Sequence, residues 1–161
     1  MAVDMFLKLE GIKGESKDEH GHADQIDVLA WSWGLSNSGT AHSGTGAGAG
    51  KVNVQDISLT KWVDRASINL IQYCATGKHI KSAHLVVRKA GGTPLEYIKI
   101  DFDDLLVSSV STGGSGGEDR LTENISLNFA KFKVEYFTQA KDGTGASAGE
   151  VTYNIPGNKQ T

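Results

Sequence analysis

A glycine-rich stretch offers the first candidate for chemistry. Residues 44–52, GTGAGAGKV, have the composition of a phosphate-binding loop. They fail the P-loop pattern, because Thr45 stands where that pattern has glycine and Val52 where it has the hydroxyl that binds Mg²⁺. The glycines also fit the weaker dinucleotide-binding spacing, which requires a strand before the loop and a helix after it. Here a polar stretch precedes and an alternating, strand-like stretch follows, so we expect a long flexible loop without a nucleotide.

Histidines and carboxylates offer the next candidates. His20 and His22 lie two residues apart in a charged loop, where they could share a metal ion, but zinc needs a third protein ligand and the sequence supplies none convincingly. Two pairs of adjacent carboxylates occur at residues 103–104 and 118–119. Neighbours in a strand point to opposite faces, so neither pair can act as a catalytic pair within one strand. The sequence predicts no metal site.

The single cysteine, Cys74, could act as a nucleophile with His79 nearby in sequence. Cys74 falls in the apolar stripe of a predicted helix, where a thiol is buried and unreactive, so a packing role is favoured. With one cysteine no internal disulfide is possible. We therefore expect no catalytic residue and no cofactor, and we predict that the protein is not an enzyme.

Length and charge limit the class of protein. The 161 residues suit a single domain, 1–161, with a hydrophobic core. The 16 basic and 19 acidic residues give a net charge of −3, which argues against a nucleic-acid partner. No apolar run is long enough to insert in a membrane, and the first residues lack the pattern of a signal peptide. We expect a cytoplasmic protein that can leave the cell only by a route that accepts the folded chain.

Alternation of apolar and polar residues is the main structural signal and predicts about eight strands, a number typical of a barrel or sandwich. Changes of parity near Asp56 and Ala130 predict β-bulges. The stretches LEYIKIDFDD and LLVSSVST are predicted as two strands, and residues 141–149 as a loop before a short last strand. One helix is predicted within residues 64–78, with Asp64 or Ser67 as its N-cap and Gly77 at its end. Its apolar stripe consists of Ile68, Leu70, Ile71, Cys74 and Ala75.

The stretch AWSWG has two contrasting faces. In a strand, Trp31 and Trp33 share one face, which suits a core, while Ala30, Ser32 and Gly34 share the other. That second face is small and nearly featureless, as at a wide cavity, a channel wall or a close approach by another chain. An ordinary sheet covered by a helix explains the pattern equally well.

Several stretches together are specific to one family. They are MAVDMFLKLEGIKGESKD, VLAWSWG, GAGKVNVQD, CATGKHI, RKAGG with EYIKI, and DLLVSSVSTGGSGGEDRLTENISLNF. In this order they resemble the haemolysin-coregulated proteins (Hcp family), the tube subunits of bacterial type VI secretion. The resemblance covers about residues 1–137, and the stretch from Lys141 onward matches nothing in it.

The resemblance implies a mainly β fold: a partly closed β-barrel of about eight strands in two sheets with one flanking α-helix. It also implies a homohexameric ring that stacks into a tube, which a contractile sheath fires outward with a VgrG-type spike protein at its tip. Small effector proteins would travel in the lumen as clients of the tube. The chain would be cytoplasmic before firing and then secreted, with neither nucleic acid nor membrane insertion involved.

Three sets of residues follow as candidates from this resemblance. Ser32 is the candidate for the lumen wall and effector binding. The candidates for a contact loop within or between rings are Gly44, Gly46, Gly48, Gly50 and Lys51. The candidates for stacking at the ring face are Arg88, Lys89, Ala90, Gly91 and Gly92.

Two other functions stay open on the sequence. A monomeric β-barrel could bind a small ligand or glycan, with Trp31 or Trp33 exposed in a pocket. A nucleotide-dependent enzyme would require ATP or NAD binding, which the glycine-rich stretch does not favour.

Overall fold

Ten strands and one helix form the part of the chain described by this computed structural model, residues 3–38, 51–91 and 94–161. In chain order they are β1 Val3–Leu9, β2 Ile26–Ser32, β3 Leu35–Asn37, β4 Val52–Val54, β5 Ile57–Trp62, α1 Ala66–Thr76, β6 Ile80–Lys89, β7 Leu95–Thr112, β8 Thr122–Gln139, β9 Gly145–Asn154 and β10 Lys159–Gln160.

Six strands close into a barrel in the order β8–β5–β2–β1–β6–β7, with β7 pairing back onto β8. All pairings are antiparallel, as the alternating sequence predicts. β9 and β10 extend the sheet beyond β8, and β3 and β4 form a separate two-stranded ribbon. The predicted fold class, a mainly β barrel in two sheets with one flanking helix, is confirmed.

In the two longest strands, β7 and β8, the buried residues change from one parity to the other at positions that lie side by side in the sheet. In β7, Phe102 and then Leu105 are buried, and in β8 the buried side chains pass from Phe129 to Phe132. The parity change near Ala130 is therefore confirmed, but the predicted bulge there is wrong, because the register of β7 against β8 is constant across it. Asp104, which falls at this level, has a φ of 52°. One continuous 18-residue β7 replaces the two strands predicted there.

The core inside the barrel is apolar, with an aromatic group near the parity change. Phe102 and Phe129 lie 4.4 Å apart between ring centroids, and Trp33 packs on Phe132 at 4.9 Å. Aliphatic side chains from all six barrel strands fill the rest. Burying this surface is the main contribution to stability.

The helix follows its predicted bounds but not its predicted stripe. Gly77 ends it in the left-handed conformation as predicted. The predicted N-cap is wrong, because Arg65 rather than Asp64 or Ser67 occupies that position, although the Asp64 carboxylate accepts the Ala66 N–H beside it. Leu70 is buried as expected, whereas the side chain of Ile68 is 72% exposed and that of Ile71 is 44% exposed. Apolar residues recur at helical spacing on both faces of α1, so the sequence alone did not show which face packs on the barrel.

Two further predictions are corrected by the strand pairing. The parity change near Asp56 is not a bulge, because the chain there leaves the β3–β4 ribbon and enters barrel strand β5. Residues 145–149, predicted as a loop, are paired with β8 as the first half of β9. β10 pairs only with Tyr153 and Asn154, so the first half of β9 lies at the edge of the sheet. Most β9 side chains are exposed, and no apolar alternation marks the strand. No helix of the described residues has the length and apolarity that a membrane span needs.

Candidate functional site

The outer surface of four barrel strands carries small uncharged side chains, which we call the hydroxyl face. The strand registers align it in two rows across β2, β5, β8 and β7. The first row is Ser32, Ser58, Ser126 and Ser109, and the second is Ala30, Thr60, Asn124 and Ser111. These side chains alternate with the buried residues of the same strands, so the period of two that builds the core also builds this face.

Hydrogen bonds within the hydroxyl face satisfy several of its polar groups. The Thr60 hydroxyl donates to the side-chain oxygen Oδ1 of Asn124 at 2.7 Å, and the hydroxyls of Ser109 and Ser126 lie 2.5 Å apart. At its margin, the Asp56 carboxylate accepts from Ser108 at 2.7 Å. A surface of hydroxyls that bond to one another and to water presents no charge and no apolar patch to a passing molecule.

Ser32 lies at the end of β2, exposed, directly opposite Ser58. The register of β2 against β5 shifts between Val28 and Ala30, as at a β-bulge. Trp31 is half-buried and packs against the core. The structure thus confirms the contrast between the two sides of this stretch.

Trp33 bears on the alternative of a ligand-binding barrel. It lies just beyond β2, and its indole Nε1–H donates to the Gln55 carbonyl oxygen at 2.9 Å. Its ring packs edge-on against Phe102, Phe129 and Phe132. These contacts make Trp33 part of the core rather than the wall of an aromatic pocket.

The ring-face candidates lie at one end of the barrel, where Arg88 and Lys89 end β6 and Ala90 and Gly91 begin the turn toward β7. Lys89 stacks over the Tyr97 ring at 5.0 Å, and Ala90 and Gly91 are exposed. Gly92 lies outside the described residues. The turn is thus presented at the barrel end, with a cation and an aromatic ring at its base.

Arg88, near the end of β6, is buried outside the barrel core, between β1 and the loop that follows β1. Its guanidinium bonds both carboxylate oxygens of Asp18, at 2.7 and 3.1 Å, and reaches Asp4 at 3.1 Å. It also lies 4.9 Å from the Phe6 ring centre. The hydrogen bond from Arg88 is the main cause that lowers the pKa of Asp18 to about 2. Arg88 therefore ties β6 to β1 and to the loop after it.

The loop between β1 and β2 has a second tie to the barrel through His22. The imidazole Nε2 lies 2.5 Å from the Glu96 carboxylate and Nδ1 lies 2.9 Å from the Gln25 side-chain oxygen. The ring stacks on Phe6 at 4.5 Å. Within the described ranges, no group of three or more potential ligands could hold a metal ion. His22 is thus a structural residue of this loop.

Cys74, the candidate nucleophile, is not paired with His79 in the structure. Cys74 is half-buried in α1 and packs against the core. His79 instead pairs with Asp104 at 2.8 Å, on the surface. The packing role predicted for Cys74 agrees with this position.

The candidates Gly44, Gly46, Gly48 and Gly50 lie outside the described residues. Lys51 is exposed just before β4 and lines a cleft of about 330 Å³ together with Asp56 and His79.

A buried ionic cluster was missed by the sequence reasoning. Lys61 is fully buried, and its ammonium reaches Glu123 at 2.5 Å and Asp64 at 2.9 Å. The Ser67 hydroxyl accepts a hydrogen bond from Lys61 and donates one to Glu123. These bonds join α1 to β5 and β8. A signal was present, because Lys61 shares the buried parity of Ile57 and Leu59.

Comparison with known proteins places the chain in one family. The family model described as "Type VI secretion system effector, Hcp" matches residues 6–136. The chain is 58% identical to Protein hcp1 of Pseudomonas aeruginosa over 163 residues, 99% of both chains. A crystal structure of Hcp1 from Salmonella typhimurium is 42% identical over the whole of both chains, with a TM-score of 0.80. A structure titled as that of a type six secretion system protein is 31% identical, with a TM-score of 0.92 over 99% of this chain and 100% of the other.

Proposed function

The chain belongs to the Hcp family of type VI secretion tube proteins, which are structural and not enzymes, and from this premise we propose that it forms the inner tube as stacked homohexameric rings. A closed ring repeats one heterologous contact, so each subunit must offer two different surfaces. The barrel supports this proposal, because its surfaces differ in chemistry from side to side. The proposal would fail if light scattering gave the mass of one chain at every concentration and negative-stain electron microscopy showed no annular particles.

The hydroxyl face is the observation that carries the proposal of a transport lumen. A wall that passes folded cargo must hold it weakly enough to release it. Hydroxyls that bond to one another or to water give such a wall, because each contact with cargo only exchanges one hydrogen bond for another. We assign the hydroxyl face to the lumen and Ser32 to effector binding.

The lumen assignment is tested with Ser32→Gln. The longer side chain projects from an exposed position on the hydroxyl face, so rings should form as before while less effector co-purifies with them. Ser115→Gln, in the exposed turn between β7 and β8, is the matched control and should retain cargo as the unaltered chain does. Unchanged co-purification with Ser32→Gln would refute the assignment.

The contact surfaces of the ring are assigned to the β6–β7 turn and to the glycine-rich loop. Lys89, Ala90, Gly91 and Gly92 would meet the next ring, and Arg88 would hold that turn in place. Gly44, Gly46, Gly48, Gly50 and Lys51 would belong to an arm that reaches a neighbouring subunit. Deletion of residues 40–48 should leave a folded chain that assembles poorly, and intact rings and tubes from the deletion would contradict the arm.

The route follows from the same family. The chain would remain cytoplasmic until a contractile sheath drives the tube, tipped by a VgrG-type spike protein, out of the cell with small effectors inside. Detection of the chain in the medium of intact cells, dependent on the sheath, tests this route.

A further inference from the structure

His22 has a hydrogen-bond acceptor at each of its ring nitrogens. Nε2 lies 2.5 Å from the Glu96 carboxylate, and Nδ1 lies 2.9 Å from the side-chain oxygen of Gln25. The Gln25 amide is oriented by its own NH₂ group, which donates to the Gly21 carbonyl oxygen at 3.5 Å. A neutral imidazole carries one N–H and can donate to only one of these acceptors, whereas the imidazolium donates to both. The arrangement therefore fits the protonated ring.

The imidazole is held in this orientation by its surroundings. His22 is 7% exposed, and its ring stacks on Phe6 at 4.5 Å with 5° between the two planes. Its main-chain N–H donates to the Asp18 carboxylate at 3.3 Å. Because the ring is fixed from several sides, loss of a proton leaves an acceptor facing a nitrogen lone pair. That contact costs free energy in place of contributing it.

Charges of both signs surround the ring. They are Glu96 and Lys99 on β7, Arg88 on β6, Asp4 on β1 and Asp18 in the loop between β1 and β2. Histidine is the side chain whose charge ordinarily changes between pH 5 and 8. The hydrogen bond from Arg88 lowers the pKa of Asp18 to about 2, so the ion pair between them holds the loop throughout that range. The tie through His22 is then the part of the attachment that changes near neutral pH.

We propose that His22 is a proton-dependent latch, which fastens the loop between β1 and β2 to β7 when the imidazole is protonated and loosens it when the proton is lost. The latch lies at the barrel end that carries the β6–β7 turn, since Glu96 is opposite Arg88 in the register of β6 and β7. The hold on this end of the barrel strengthens as the pH falls. The latch acts within one chain, so it does not depend on the proposed assembly.

The latch is tested by urea unfolding of the unaltered chain and of His22→Gln at about pH 5.5 and 8.5, on either side of the ordinary range of histidine. Glutamine donates one hydrogen bond and carries no charge at either pH. The ratio of the two folding equilibrium constants, unaltered chain over variant, should be larger at the lower pH by about fivefold or more. The other histidines are common to both chains and cancel in this ratio, including His84, whose pKa is raised by its hydrogen bond with Asp101.

His20→Gln is the matched control, because it makes the same change at an exposed position of the same loop. Its ratio to the unaltered chain should be the same at both pH values. Glu96→Gln removes the anion at Nε2, and its ratio should change with pH in the same direction as that of His22→Gln. A ratio for His22→Gln that is equal at the two pH values would overturn the latch.

NMR of the unaltered chain with ¹⁵N-labelled histidine gives a test that requires no variant to fold. Both ring nitrogens of His22 should carry a hydrogen at the lower pH, and one of them should lose it at the higher pH. A His22 ring with the same number of N–H hydrogens at both pH values would overturn the proposal.

Discussion

Replacing Arg88 with methionine should destabilise the fold in a way that depends on pH. The guanidinium is 6% exposed and the Asp18 carboxylate 10% exposed. Methionine retains apolar contact with Phe6 but removes the charge and both hydrogen bonds to Asp18. The carboxylate would retain the backbone N–H groups of His20 and His22, at 3.0 and 3.3 Å.

Two considerations give the size of the loss in the free energy of unfolding that Arg88→Met should cause. Removing one partner of a buried ion pair costs about 3–5 kcal/mol, and the remaining N–H donors place this case at about 2–3 kcal/mol. The lowering of the Asp18 pKa from 3.8 to about 2 corresponds to about 2.4 kcal/mol, which is an upper value for Arg88 because the N–H groups of His20 and His22 also lower this pKa and remain in the variant. The two figures agree. For a chain of this length the loss lowers the melting temperature by about 4–12 °C.

The pH dependence separates the charge from the packing. Because the pKa of Asp18 is lowered in the folded state, its stabilisation is complete above about pH 4 and is lost as the pH falls through about 2. The free energy of unfolding of Arg88→Met should therefore differ from that of the unaltered chain at pH 7 and approach it near pH 2.

Urea unfolding monitored by tryptophan fluorescence at pH 7, 4 and 2.5 measures this convergence. Asp18→Asn should show a similar loss at pH 7, and the double variant should lose less than the two single losses added. Lys89→Met, which removes only a cation above Tyr97, is the control and should change stability by less than about 1 kcal/mol. A loss from Arg88→Met of equal size at all three pH values would refute the ionic argument.

Two further variants test the interior. Lys61→Met should lower the free energy of unfolding in urea by about 3–5 kcal/mol, because it leaves Glu123 buried without its cation, and adding Glu123→Leu should recover part of that loss. A loss below about 1 kcal/mol from Lys61→Met alone would contradict the stabilising role of this ion pair. Gly14→Ala should lower the free energy of unfolding by about 1–3 kcal/mol, since a Cβ there would lie 2.4 Å from the Gln25 carbonyl oxygen. Gly116→Ala, with open space around it, is the control and should change it by less than about 0.5 kcal/mol. Equal stability of the two variants would contradict this packing argument.

The fold could be predicted where burial alternates with a single period. β5 shows this well, because Ile57 and Leu59 point inward and their neighbours outward, and the same pattern predicts the position of Ser32. The prediction failed where exposure, not burial, determines the structure. The first half of β9 lies at the edge of the sheet, paired with β8 alone, and its exposed glycines and alanines look like a loop.

The partners of the candidate contact residues could not be predicted from the sequence either, for a different reason. Arg88 was expected at a ring face because of its place in a turn, yet its partner Asp18 is 70 residues away in the chain. Long-range partners of this kind depend on the closure of the barrel, which the sequence indicates only as a class. Lys61 is the exception, because a lysine at a buried parity already implies a buried carboxylate to pair with it.

The absence of charge has opposite meanings on the hydroxyl face and on the exposed side of α1. On the hydroxyl face the polar groups bond to one another at 2.5–2.7 Å and stay in contact with water, so the surface gains little by being covered. On the exposed side of α1, burial of the apolar side chains of Ile68 and Ile71 would contribute about 25 cal/mol for each Å² removed from water. Ser32→Gln should therefore act on the retention of cargo and not on the assembly of rings.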